Sequence, residues 1–159
     1  MVDKNQAVID FLINCPQIKN NPLFFNATEA KDNNKQILTL GNDKSLNVKY
    51  IDGSVLRRFT FTLIDYRSVA YQAIVKLPEY KNENVEEVLD IQGIIDWITE
   101  QNDAQNYPDF GDKCSIEEMR VLTDNPNLDG IDTSTKPSLA RYSMSIRIDY
   151  LDKSNKIWN

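Results

Sequence analysis

The chain has 159 residues, of which 41% are apolar and 26% charged, and its formal net charge is −6 at pH 7. This length and composition predict one globular domain, spanning residues 1–159, with enough apolar residues for a packed core. The acidic balance argues against non-specific nucleic-acid binding, which depends on clustered Lys and Arg. No apolar run approaches the roughly 18 residues of a membrane helix, and the start lacks the apolar centre of a signal peptide. We therefore expect no membrane partner and a cytosolic site of synthesis.

The chain contains no histidine, which removes several kinds of active site. A Ser-His-Asp triad, a Cys-His pair and an imidazole acid or base at neutral pH are all excluded. Cys15 and Cys114 are too few for a typical zinc site, which needs about four nitrogen or sulfur ligands. A reducing compartment favours two plain thiols. We accordingly predict a protein that is not an enzyme and holds no metal or cofactor.

The first predicted element is a short amphipathic helix. Asp3 is placed to cap it, with Gln6 at the reach-back position, and Pro16 ends it. Its apolar stripe consists of Ala7, Val8, Phe11, Leu12 and Cys15. The following Asn- and Pro-rich segment is expected to be mostly loop, held to the core by Leu23, Phe24 and Phe25.

Strands are predicted from residue 36 onwards. "QILTL" is followed by the turn "GNDK", and "LNVKYI" leads through the hairpin signal Asp52-Gly53 into "VLRRFTFTLIDY". The alternation in this last segment places Phe59, Phe61 and Leu63 on one face and Arg58, Thr60 and Thr62 on the other. Residues 69–77 are compatible with a strand or a helix, and a strand or an irregular continuation of the preceding strand is the favoured interpretation.

The central helix is predicted over 82–103, with Asn84 as its cap and Glu87 three residues later. Its apolar stripe is formed by Val88, Ile91, Ile95 and Ile98, joined by Leu89 and Ile94.

The last third of the chain is predicted to hold two more strands. The first spans 114–122, and residues 123–138 are expected to form a polar, mobile loop. In 138–151, six core positions from Ala140 to Tyr150 alternate with Arg141, Ser143, Ser145, Arg147 and Asp149. The element order predicts an α+β fold, with a mainly antiparallel sheet flanked by an N-terminal helix and a longer central helix.

An acidic cluster begins the central helix and admits two interpretations. Glu83, Glu86, Glu87 and Asp90 complement the helix dipole as a solvated helix start, which is the favoured interpretation. The alternative is a divalent-cation site in a carboxylate metal-dependent hydrolase, because Glu86 and Asp90 lie one turn apart.

The stretch "YPDFGDKC" contains the tripeptide Asp-Phe-Gly, which binds metal in protein kinases. The other kinase motifs are missing, so a structural loop is the better interpretation. Tyr107 and Phe110 are expected to dock this loop, and Pro108 and Gly111 to shape it.

Three arginines and the C-terminal residues are candidates for a subunit or partner interface. Arg58, Arg141 and Arg147 fall on the non-core parity of their strands, either as solubilising charge or as partners for carboxylates of another subunit. Ile157 and Trp158 either fold back or meet another subunit, because exposed apolar groups are costly.

Several segments together resemble a known family. They are the hairpin around "RRFTFTLIDY", the helix "GIIDWITEQN" running into "NYPDFGDKC", and the closing "LARYSMSIRIDYL". In this combination the chain resembles the tail terminator proteins of long-tailed bacteriophages and phage-derived tail particles, also called tail completion or minor capsid proteins. The most specific part is "DWITEQNDAQNYPDFGD" paired with "ARYSMSIRIDYL".

The resemblance implies a structural virion protein that assembles into a hexameric ring. Such a ring caps the head-proximal end of the tail tube, halts tube polymerisation and joins the tail to neck and head proteins, and to the sheath where the tail contracts. The implied partners are further copies of the chain, the tail tube protein and neck or head connectors, with genome DNA passing through the ring. The implied location is the head-proximal end of the virion tail, after assembly in the host cytoplasm. A head-completion or neck connector protein that binds the portal or an adaptor remains an alternative.

Overall fold

The computed structural model describes residues 3–26, 30–39, 43–69, 83–123, 126–134, 136 and 138–157. These ranges contain two helices and seven strands. Their bounds in chain order are α1 Lys4–Leu12, β1 Leu23–Phe25, β2 Lys35–Leu38, β3 Asp43–Lys49, β4 Val55–Ser68, α2 Glu83–Asp103, β5 Cys114–Val121, β6 Asn127–Asp132 and β7 Leu139–Asp152. Within the described ranges, neither helix is long and apolar enough to cross a membrane.

The sheet is built around the antiparallel pair of its two longest strands, β4 and β7. Each has 14 residues, and their register runs from Val55 opposite Asp152 to Ser68 opposite Leu139. Two short strands line each outer edge: β3 and β2 pair with β4, while β5 and β6 pair with β7. The three-residue β1 adds to β2 in parallel. The sheet is therefore mixed but mostly antiparallel, as the sequence predicts.

Both helices contribute to one core on a single face of the sheet. Phe59, Phe61 and Leu63 of β4 are buried there. The strict alternation predicted for β7 is confirmed, since every second residue from Ala140 to Tyr150 is buried. The α1 residues Ala7, Val8, Phe11 and Leu12, and the α2 residues Ile91, Ile94, Ile95 and Ile98, complete this core.

The start of α1 follows its sequence signals. Asp3 is the N-cap, and its carboxylate accepts hydrogen bonds from the backbone N–H groups of Asn5 (2.9 Å) and Gln6 (3.4 Å). The helix ends at Leu12, ahead of Pro16. Cys15 is buried beyond the helix end, and both cysteines are free thiols.

Two predicted loops contain strands. The segment expected to be a mobile loop at 123–138 includes β6, which pairs with β7 from Asn127 opposite Ser143 to Asp132 opposite Leu139. Backbone pairing with β7 outweighs the low strand propensity of Asn, Asp and Gly here. Leu23–Phe25 forms β1, and only Leu23 packs against the core, because Phe24 and Phe25 are 37% and 40% exposed.

Three details predicted for α2 and for the start of β3 are wrong. Asn84 lies inside α2, which includes Glu83, so it does not have the cap position. Leu89 is 64% exposed and does not join the buried stripe, because its direction on the helix points away from the sheet. The predicted turn at 41–44 is wrong at its end, since β3 already begins at Asp43. The strand predicted at 69–77 lies outside the described residues except for Val69.

Candidate interaction surface

On the sheet face opposite the helices, the part around Arg58 and Arg147 is polar, whereas Ile64 further along the same face is fully buried. Directly opposed residues of an antiparallel pair project to the same side of the sheet. The strand register therefore shows which residues belong to this face. No described helix covers it. We call this surface the open face and define it as Lys44, Arg58, Thr60, Thr62, Glu118, Arg120, Ser145, Arg147 and Asp149, all half-buried or exposed.

Arg58 and Arg147 share one carboxylate on the open face. The Arg58 guanidinium donates two hydrogen bonds to Asp149, from Nε to Oδ1 (2.8 Å) and from Nη2 to Oδ2 (3.2 Å). The hydrogen bond to Asp149 raises the pKa of Arg58. Arg147 Nε lies 3.6 Å from the same carboxylate, and its Nη2 lies 3.5 Å from Glu118 Oε2. The two short hydrogen bonds orient Arg58, and both arginines remain partly exposed, at 29% and 21%.

Arg141 lies apart from this network. It follows the same parity of β7, but six residues from Arg147, which corresponds to roughly 20 Å along a strand. Its Nη1 is 3.4 Å from Asp129 Oδ2, and Ser143 donates a hydrogen bond to Asp129 Oδ1 (2.9 Å). The structure therefore brings two of the three candidate arginines together and holds each of the three near a carboxylate of the same chain.

The C-terminal segment folds back through its backbone. The N–H of Ile157 donates to the carbonyl of Asp52 in the β3–β4 hairpin turn (2.6 Å), and Lys156 Nζ lies 3.9 Å from Asp52 Oδ2. The Ile157 side chain remains 70% exposed, so docking of the backbone does not bury it. Trp158 lies outside the described residues.

The loop after α2 is a packed connection. Phe110 is buried and makes edge-on ring contacts with Phe59 and Tyr150, with centroids 5.9 and 5.3 Å apart. Gly111 has a φ of 89°, the positive φ expected of it, and its N–H donates to Asp109 Oδ1 (2.9 Å). Pro108 is buried.

Tyr107 is half-buried and contacts Asn102, a residue for which the sequence predicted no role. The Tyr107 hydroxyl lies 3.3 Å from Asn102 Oδ1, which also accepts a hydrogen bond from the backbone N–H of Met119 (2.9 Å). Asn102 thereby links the end of α2 to β5.

A groove runs between α1, the C-terminal half of α2 and this loop, with a volume of about 650 Å³. Phe11 and Trp97 lie on its apolar side, with ring centroids 5.0 Å apart. Its charged lining residues are all carboxylates: Asp3, Asp10 and Asp109. The groove is therefore acidic and lies on the helix side of the sheet.

A buried charge cluster joins β2, β4 and α2. Arg67 donates to both oxygens of Asp65 (2.8 and 3.0 Å) and to Glu87 Oε2 (2.8 Å), and its Nη2 lies 2.7 Å from Asp90 Oδ2. Burial alone would lower the pKa of Arg67, but these carboxylates outweigh it and raise the pKa. Lys35, fully buried, lies 3.3 Å from Asp65, and burial lowers the pKa of its ammonium group.

The cluster changes the interpretation of the acids that begin α2. Glu87 and Asp90 are not simply solvated, because both pair with Arg67. Among the described residues, no three His, Cys, Asp or Glu side chains are placed to hold a metal ion.

A scan against protein-family models finds no match to this chain, and a search of the curated proteins finds none either.

The sequence of β4 contains a signal for this charge cluster. The period-2 alternation that buries Phe59, Phe61 and Leu63 continues to Asp65 and Arg67, which puts two charged residues on the core face. Charges at such positions need buried partners. Those partners lie in other elements, and only the fold shows which they are.

Proposed function

We propose that this chain is a structural subunit of the tail terminator kind, which assembles into a ring on the head-proximal end of a tail tube. The observation that carries the proposal is the open face: the two longest strands present an ordered polar surface outside the core. In this proposal the ring stops tube polymerisation and offers a surface to neck or head proteins. The finer fold assignment, a tail-terminator-like arrangement, belongs to the same proposal.

The chemistry of the open face suits protein contact. Arg58 is held in a fixed orientation by its two hydrogen bonds to Asp149, so it loses little side-chain entropy when it meets a partner. Arg147 lies beside the same carboxylate. Arginine is enriched at protein interfaces, where its planar fork pairs with carboxylates. The resemblance of the β4, α2 and β7 segments to tail terminators gives this surface its proposed partners.

The hydrolase alternative has less support. Asp90, one of the two acids it requires, already binds Arg67 at 2.7 Å, and Glu87 beside it does the same at 2.8 Å. A metal at this position would have to displace a buried guanidinium, which would leave Asp65 without its strongest partner.

Sedimentation velocity and native mass spectrometry, on the purified protein alone and with tail tube protein, test the proposal. We expect an assembled species and tube ends that no longer elongate. The double variant Arg58→Ala with Arg147→Ala should weaken tube capping roughly tenfold or more, because it removes both guanidinium groups from the open face.

The matched control is Arg57→Ala, which removes an arginine of the same strand from the opposite face and should leave capping unchanged. A protein that never engages tube ends would contradict the terminator proposal. Binding to a portal or adaptor protein in place of the tube would identify the connector alternative.

A further inference from the structure

Charge is distributed unevenly between the two sides of the sheet. Residues 83–112 contain nine Asp or Glu and no Lys or Arg. Asp96, Glu100 and Asp103 of this segment are exposed on α2. Glu87 and Asp90 are paired with Arg67, but these three exposed acids and the acidic groove between the helices make the surface around the C-terminal half of α2 negative.

The open face carries the opposite charge in an arrangement that is unfavourable within one chain. Lys44 lies directly opposite Arg58, and Arg120 lies directly opposite Arg147. Like charges at directly opposed positions of a sheet destabilise it. Asp149 and Glu118 neutralise Arg58 and Arg147, but Lys44 and Arg120 are exposed and form no ion pair with the described part of the chain.

We propose that the open face binds the acidic helix side of a second copy of this chain. Carboxylates of the second copy would lie against Lys44 and Arg120 and relieve the repulsion within both cross-strand pairs. The groove favours the same contact from the other side, because its charged lining residues are all acidic and its remaining lining combines apolar and aromatic side chains with amides. A side chain with an aliphatic stem and a cationic head matches such a lining.

The placement of the two surfaces determines the symmetry of the contact. The open face and the acidic helix side lie on opposite sides of one sheet. The contact therefore joins the open face of one copy to the helix side of the next, which makes it heterologous. Each added copy then leaves one open face and one acidic side unused, until a ring closes. This inference deepens the proposed function, on which it rests for ring closure, and it assigns the contacting faces.

Charge-swap variants test the contact. The sheet-side variant is Lys44→Glu with Arg120→Glu, and the helix-side variant is Asp10→Lys with Glu100→Lys. Asp3 and Asp109 are left intact because they cap α1 and shape the loop. Self-association is measured by sedimentation velocity in low salt and again in about 1 M salt, where the Debye length is about 3 Å.

We expect the wild type to self-associate in low salt and to dissociate as salt is added. Each variant should associate roughly tenfold or more weakly, because it brings like charges together. An equimolar mixture of the two variants should assemble again, as should one chain carrying all four substitutions. The sheet-side variant should also keep or raise the thermal stability of the subunit, since Glu would face Arg58 and Arg147.

Three results would overturn the inference: a wild type that stays monomeric in low salt, variants that associate like the wild type, or a folded four-substitution chain that stays monomeric. Binding of an oligonucleotide to the open face in place of a second copy would overturn it as well. Tube capping separates the two proposals. If the protein is monomeric in solution but still caps tubes, the capping role stands and the contact between copies proposed here is wrong. If the charge-swapped variants assemble as expected but the protein does not cap tubes, the contact stands and the capping role is wrong.

Discussion

Arg67 uses all three nitrogens of its guanidinium group to join two elements. Nε and Nη2 hold Asp65 on the same strand, while Nη1 and Nη2 reach Glu87 and Asp90 on α2. Asp65 is fully buried and Arg67 is 5% exposed. This single side chain therefore ties the start of α2 to the end of β4.

Replacement of Arg67 by Ala should destabilise the protein by about 3–5 kcal/mol, because it leaves Asp65 buried with Lys35 as its remaining charged partner. Urea unfolding followed by circular dichroism measures the loss. Arg57→Ala is the control, since the Arg57–Asp152 pair is partly exposed and should cost no more than about 1 kcal/mol. Equal losses in the two variants would show that the buried cluster has no special role.

Residue-level prediction from the sequence succeeds where the partner is close along the chain. The Asp3 cap could be predicted because the backbone N–H groups that donate to its carboxylate are only two and three residues away. The roles of Glu87 and Asp90 could not, because Arg67 lies about 20 residues earlier and reaches them only through the packing of α2 on the sheet.

At the scale of elements, the hairpin turn between β3 and β4 also anchors the C-terminal segment. Gly53 has a φ of 91°, and a Cβ at this position would collide with the carbonyl oxygen of Asn155. The turn therefore requires glycine for two independent reasons, its backbone conformation and the closeness of the segment that lies over it.

Gly53→Ala should cost about 1–3 kcal/mol and release the C-terminal segment, because a side chain at positive φ is strained and also clashes. Amide hydrogen exchange of Ile157, whose N–H bonds to Asp52, should become faster. Gly130→Ala in β6 is the control: a Cβ there has open space, so the stability change should stay within about 0.5 kcal/mol. Unchanged exchange at Ile157 in Gly53→Ala would contradict the anchoring role.

The strength of the periodic signal decides which elements can be predicted. The β7 sequence alternates over the eleven residues from Ala140 to Tyr150, and this segment lies within a strand of 14 residues. By contrast, β6 is exposed at every position, so no buried face leaves a pattern in its sequence. Only the presence of the β7 edge makes a strand of Asn127–Asp132, and that information is not local.

At the scale of the whole molecule, both helices and the central strands share one hydrophobic core. Trp97 of α2 packs partly buried against this core and contacts Phe11 of α1. No described element has a separate core of its own. Loss of the contact between α1 and α2 should therefore accompany loss of the sheet.

Urea unfolding should accordingly be a single cooperative transition. The variant Trp158→Phe leaves Trp97 as the one tryptophan of the chain, so that its fluorescence reports the contact between the helices. The fluorescence midpoint should coincide with the midpoint from far-ultraviolet circular dichroism, which reports the whole fold. Two separated midpoints would show that the helices detach before the sheet unfolds.

The pairing of β4 with β7 also has a consequence for the order of events during synthesis. Leu139 lies opposite Ser68 in the sheet but follows it by about 70 residues in the chain. At cellular elongation rates the ribosome therefore adds Leu139 roughly 4–14 s after Ser68. Throughout that interval β4 lacks the partner that covers one whole edge, although Phe59, Phe61 and Leu63 are already present. A nascent chain at this stage offers an apolar strand with a free edge, which is the kind of segment that chaperones bind and that other nascent chains can pair with.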